Sequence, residues 1–209
     1  MRRLTGVMLG SILSLALAST VQAQVALGIR GGYNSSKITV KADGTSIETG
    51  LKSLSGFHAG ADLAFAFSPM LGIEVGGAYS QKGASEDGGD GKVAFDVVDV
   101  PVLLAVSIPT EGSVTPRLFA GGVGSFKVSC KIKEGGASAD CSDADVGAPK
   151  SFYISLLFGA GVGFAAGPGS LVLDVGYQLG LTNIIDDEIE TVRVNVIQAS
   201  LGYRFPIGG

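Results

Sequence analysis

Leu171-Val172-Leu173-Asp174-Val175-Gly176-Tyr177-Gln178-Leu179-Gly180-Leu181 alternates without a break. Leu171, Leu173, Val175, Tyr177, Leu179 and Leu181 share one parity, while Asp174, Gly176, Gln178 and Gly180 hold the other. Successive side chains of a β-strand point to opposite faces. The stretch therefore reads as a strand with one wholly apolar face and one face of polar or absent side chains.

The same alternation spreads in both directions. Phe57, Ala59, Ala61, Leu63, Phe65 and Phe67 oppose His58, Gly60, Asp62, Ala64 and Ala66. Leu71, Ile73, Val75 and Tyr79 oppose Gly72, Glu74, Gly76, Ala78 and Ser80. In 154–164, Ile154, Leu156, Phe158, Ala160, Val162 and Phe164 face away from a mostly glycine side. Leu27, Ile29 and Tyr33 oppose Gly28, Arg30, Gly32 and Asn34. Three further segments complete the pattern less cleanly. Segment 93–108 alternates through Val98, Val100, Val102, Leu104 and Val106, with Asp99 on the polar side, but 117–128 is too rich in glycine to assign faces. Segment 192–205 changes phase near Ile197, which predicts a bulge there or an upper half lying outside the lipid.

Eight such segments, each long enough for the about 9–11 residues a barrel strand needs to cross a bilayer, predict an all-β fold. The expected architecture is an eight-stranded antiparallel up-and-down transmembrane β-barrel. Composition agrees: charged residues are 16%, glycines number 33 and mean hydropathy is +0.42. Soluble domains carry about 25% charged residues. Beyond the N-terminus no apolar run reaches the about 18 residues of a membrane helix, and a closed barrel is the other way to satisfy a backbone in lipid. A soluble lipocalin-like barrel would be apolar inside and polar outside, the reverse of what Asp62, Glu74, Asp174 and Gln178 indicate.

The first 23 residues read as an export signal. Arg2 and Arg3 precede an apolar run from Val7 to Ala18, and Val21-Gln22-Ala23 supplies a small-x-small cleavage box before Gln24. The expected division is residues 1–23 as signal peptide and 24–209 as barrel domain, exported to the bacterial outer membrane. The net charge is −4, and removing Arg2 and Arg3 takes it to −6. That balance, with no basic cluster, argues against nucleic acid as a partner.

Connections alternate in length. Short ones fall at 68–70, 109–114 and 166–169, and long ones at 35–55, 81–92, 127–150 and 182–191. Short periplasmic turns and longer external loops are the rule for outer-membrane barrels, so both chain ends are expected in the periplasm.

Three stretches resemble a known class. These are Gly28-Ile29-Arg30-Gly31-Gly32-Tyr33-Asn34, Val98-Asp99-Val100-Pro101-Val102-Leu103-Leu104 and Leu201-Gly202-Tyr203-Arg204-Phe205. The chain is similar through them to the small outer-membrane β-barrel proteins, the PorT-like and OmpA/OmpX-like class often labelled porin family. The second stretch resembles the "EIPLLL" run of the PorT-like group, with Asp99 where Glu is common. The resemblance implies outer-membrane lipid as surroundings and the barrel assembly machinery as a partner during insertion. Barrels of this class often end on an aromatic residue; here Phe205 is followed by Pro206-Ile207-Gly208-Gly209.

The face assignments point Arg30, His58, Asp62, Glu74, Asp99, Asp174, Gln178 and Arg204 inward, as a polar network of the lumen. Eight strands leave an interior just wide enough for side chains to fill, and charges there must be paired. Arg30 and Arg204 sit on first and last strands, adjacent on closure, with Asp62, Glu74 and Asp174 as partners. The first functional expectation is thus a filled barrel with a structural or loop-mediated binding role, including a possible extracellular ligand at the long loops. The alternative is a narrow passive pore lined by the same residues. An outer-membrane hydrolase using His58 is the weakest reading, because no positioned Ser or Cys accompanies it. No cofactor or metal is expected: the acidic groups at 86–91, 140–145 and 186–190 lack EF-hand spacing. Cys130 and Cys141 are expected to form a disulfide within the third long loop, since exported proteins meet an oxidising compartment.

Overall fold

Ten strands form one antiparallel sheet in the computed structural model, which describes residues 24–42, 45–47, 50–86, 88–89, 91–135, 137–141, 150–185 and 190–207. The expected signal segment lies outside the described residues. The strands are β1 (Gln24–Ala42), β2 (Thr45–Ile47), β3 (Leu51–Ala66), β4 (Leu71–Glu86), β5 (Lys92–Ser107), β6 (Val114–Glu134), β7 (Ala137–Asp140), β8 (Phe152–Ala166), β9 (Gly169–Gly180) and β10 (Glu190–Pro206). Eight of them make the ring, in the order β10-β9-β8-β6-β5-β4-β3-β1, and β10 pairs back onto β1. That last pairing runs unbroken from Ala26 opposite Pro206 to Ala42 opposite Glu190. It leaves no open edge in the ring, which is what a sheet in lipid requires. β2 adds to β1 and β7 to β6 above it.

Side-chain parity carries through the ring. Leu27, Ile29, Leu63, Val75, Val102, Leu104, Leu118, Leu173 and Leu201 stand exposed on the outer wall. Asn34, His58, Asp62, Glu74, Asp99, Asp174 and Gln178 are buried inside. Aromatic residues bound the apolar band. Tyr33, Phe57, Tyr79, Phe126 and Phe152 form an upper set, with ring centroids 5.7 Å apart for Phe57 and Tyr79 and 4.8 Å for Phe126 and Phe152. Phe65, Phe67, Phe164, Tyr203 and Phe205 form a lower one, with Tyr203 and Phe205 4.5 Å apart. From Phe57 to Phe67 the tilted strand rises about 25 Å, the height of an outer-membrane apolar band.

The strands outrun that band at the long-loop end. Much of what was expected as loop is strand: β1 continues to Ala42, β4 to Glu86 and β6 to Glu134. Above the lipid both faces of a hairpin tolerate polar residues, so the two-residue alternation fades while the backbone pairing persists. The short turns close tightly: Ser68 Oγ accepts the N–H groups of Met70 and Leu71 at 3.2 and 3.0 Å. Gly167, at φ 60°, takes the left-handed conformation that the β8–β9 turn requires.

The apparent phase change in β10 is not a bulge. Its register with β1 is continuous, and Val192, Val194 and Val196 point inward with the same parity as Gly202 and Arg204. What changes is the apolar side. Within the lipid it is outside; above it, the three valines pack inside with Phe95, Val97, Tyr153 and Ile184 into a small core. The register shifts lie elsewhere, between Ser53 and His58 on β3 and between Asp96 and Val97 on β5. Cys130 packs against the same core and is disulfide-bonded to Cys141 with Cα atoms 5.4 Å apart.

A charge placed on the outer wall should therefore cost according to depth. Val102→Arg, mid-band, is expected to destabilise the barrel by about 2–4 kcal/mol in urea titration of vesicle-folded protein, and Val128→Arg, beyond the upper aromatics, by about 0–1 kcal/mol.

Candidate functional site

Six inward strands each contribute one charge to a cluster across the lower lumen. Arg30 donates to Asp62 Oδ1 through Nε at 2.8 Å and Nη2 at 2.6 Å. Arg204 Nη2 lies 2.6 Å from Glu74 Oε2 and 3.3 Å from Asp62 Oδ2. Arg117 Nη1 donates to Asp174 Oδ2 at 2.5 Å, and its Nη2 donates to Glu74 Oε1. Arg30 also approaches Glu74 at 3.5 Å and Asp174 at 4.0 Å. Three guanidiniums thus face three carboxylates, and the cluster is neutral. The carboxylates and Arg117 are buried; Arg30 and Arg204 are partly so. Two inward glycines make the room: a Cβ on Gly28 would stand 2.7 Å from Asp62 Oδ1, and one on Gly161 would strike Asp174.

A second polar group lies higher. Lys82 Nζ donates to Asp99 Oδ1 at 2.9 Å and to Gln178 Oε1 at 3.3 Å. Ser125 donates to Asp99 at 2.5 Å, and Gln178 Nε2 to Ser155 at 2.6 Å. The Lys82 ammonium also sits 5.5 Å from the Tyr153 ring centre, a cation–π contact. His58 Nδ1 donates to Asn34 Oδ1 at 2.8 Å, on the β1–β3 side. Between the two polar groups, Leu103, Ala105, Phe119, Val123 and Leu157 form an apolar cluster on the β5–β6–β8 wall.

Little space remains. The gap among Arg30, Asp62, Asp174 and Arg204 is about 10 Å³, hardly one water molecule. Toward the short turns the lumen opens into a vestibule of about 290 Å³, whose inner end is Arg117 and Arg204.

A family model described as outer membrane protein beta-barrel domain matches residues 19–186. The chain belongs to that family. It is a protein of the bacterial outer membrane. No curated protein matches the sequence significantly. Among solved structures, Neisserial surface protein A aligns with 87% of this chain and 99% of its own, at 17% identity and TM-score 0.50. OprG from Pseudomonas aeruginosa aligns over 88% and 97%, at 14% identity and TM-score 0.48. The attachment invasion locus protein of Yersinia pestis aligns over 87% and 99%, at 21% identity and TM-score 0.44. Neisserial surface protein A supports the barrel fold and nothing finer.

Within this family member, the eight inward residues named from sequence fall into three places. Arg30, Asp62, Glu74, Asp174 and Arg204 meet in the lower cluster, Asp99 and Gln178 join Lys82, and His58 pairs with Asn34. Lys82 and Arg117 are not among the residues that the alternation in sequence points inward. The signal for them was arithmetic: two arginines cannot neutralise four carboxylates, and these two cations make up the difference. Of the acidic loop residues, Asp87, Asp90, Asp143, Asp145, Asp186, Asp187 and Glu188 lie outside the described residues. Among the described residues no group of three or more His, Cys, Asp or Glu is placed to hold a metal ion.

Removing one member of a buried ion network strands its partners. Arg117→Met is expected to cost about 3–5 kcal/mol in reversible unfolding. Combining it with Asp174→Asn should cost less than the two single changes summed, by about 1–3 kcal/mol of coupling.

Proposed function

We propose that this protein is a side-chain-filled, non-conducting barrel that acts as a membrane scaffold for the strand extensions and loops it holds outside the cell. The observation that carries the reading is the neutral Arg30–Asp62–Glu74–Arg117–Asp174–Arg204 cluster, with the Lys82–Asp99–Gln178 group above it. Opening a path would separate these charges in a confined, poorly hydrated space, and each unpaired charge there is costly. The upper apolar core of Phe95, Val97, Val192, Val194 and Val196 adds a third obstruction. Function then belongs to the outside, where β1, β4 and β6 rise beyond the lipid and the disulfide fixes the top of β6.

A narrow pore is the second reading, and the 290 Å³ vestibule favours it. Its inner end is formed by Arg117 and Arg204, which are engaged with Glu74. The proposal assigns no catalytic role to His58, whose Nδ1 is engaged by Asn34. It includes export with cleavage after Ala23, so the intact mass of protein purified from membranes should correspond to a chain beginning at Gln24.

Refolded protein in planar bilayers should show no discrete conductance steps. Steps in the unsubstituted protein whose size changes with Glu74→Gln or Arg204→Gln would overturn the filled-barrel reading in favour of the pore.

A further inference from the structure

The cations of this chain are sorted by height. Of 15 Lys and Arg residues, Arg2 and Arg3 precede the barrel, and Arg30, Lys82, Arg117 and Arg204 occupy the lumen. The remaining nine all fall at the long-loop end, and the short-turn connections contain none. Three of the nine gather on one patch. Lys92 of β5 stands directly opposite Lys133 of β6, and Lys131 lies two residues along β6 on the same face. All three are exposed. Like charges directly opposed across strands are destabilising, so an apposed pair calls for an anion.

Among the described residues no carboxylate supplies it. Asp140 faces Lys131 across β6–β7, and Glu86 lies beside Ser85, the register partner of Lys92. Neither forms an ion pair with the three lysines among the described residues. The same outward row carries Ser85 on β4 and Ser138 on β7, hydroxyls suited to hydrogen-bond an oxyanion.

The patch lies on the outer side of the wall, continuous with the lipid-facing surface below it. Lys131 and Lys133 stand five and seven residues beyond the upper aromatic Phe126, or roughly 12–16 Å above it for a tilted strand. That is the level of headgroup sugars and their phosphates rather than of acyl chains. A headgroup beside the barrel therefore meets the lysines on the same face that meets lipid lower down the wall.

We propose that Lys92, Lys131 and Lys133 bind the phosphorylated headgroup of an outer-leaflet glycolipid lying against the β5–β6 wall. The patch would then anchor the hairpin extension to the surrounding membrane, whether or not the lumen conducts.

The test uses the full barrel refolded in phosphatidylcholine nanodiscs containing a small fraction of lipopolysaccharide, then extracted in mild detergent and examined by native mass spectrometry. The unsubstituted protein should retain glycolipid. Lys92→Gln/Lys131→Gln/Lys133→Gln should lose retention by about fivefold per lysine, with its gel shift on boiling intact, and the triple Lys→Arg variant should keep it. Equal retention by the Gln variant and the unsubstituted protein would overturn the proposal. So would lysine-dependent binding of a soluble sulfated oligosaccharide without glycolipid retention, which would assign the patch to a ligand from solution.

Discussion

Glu74 is the residue on which the lumen turns. It is buried inside a barrel in lipid, and all three lower guanidiniums reach it: Arg117 at one oxygen, Arg204 at 2.6 Å and Arg30 at 3.5 Å at the other. A carboxylate in that position survives only with such partners. The strands bearing them, β1, β6 and β10, must therefore be at fixed heights relative to β4. Register and ion pairing specify each other: a one-residue slip of β6 would send Arg117 into the lipid and Leu118 into the cluster.

That constraint accounts for the distribution of glycine and of apolar residues. Long charged side chains converging from six strands need walls without side chains between them, and Gly28 and Gly161 stand where a Cβ would collide with Asp62 and Asp174. Phe119 and Leu157 fill the wall between the two polar groups, with the Arg117 guanidinium 5.2 Å from the Phe119 ring centre. The outer wall is left to Leu, Val, Ile and the aromatic residues, as lipid demands. Above the lipid the solvent changes, and β10 exchanges its sides accordingly: valines turn inward, while Arg193 and Asn195 take the outside.

The barrel was legible in the sequence because lipid on one side and a filled lumen on the other impose opposite chemistries on alternate residues. Segment 171–181 states this in eleven letters. The strand extensions were not, since water outside removes the contrast that made alternation visible; β4 runs on through Gln81-Lys82-Gly83 where a loop was expected. Arg117 was hidden because Gly121, Gly122 and Gly124 further along β6 left the faces of that segment unassigned, and Lys82 by its place beyond the lipid-contrast region. Both were implied by charge balance, a constraint that acts through space and not along a strand. For the valines of β10 the sequence leaves two explanations, a bulge or an upper half outside the lipid, because parity alone does not say which solvent each face meets; the unbroken register with β1 leaves the second.

The central claim is that side chains close the lumen between the vestibule and the upper core. Side-specific thiol labelling tests it directly. Ser170→Cys lines the vestibule, and Ser155→Cys lies beyond the lower cluster, fully buried and hydrogen-bonded to Gln178. A small charged thiol reagent should modify position 170 in the folded barrel and leave position 155 untouched until the protein is unfolded. Rapid modification at both positions in the folded state would contradict the account.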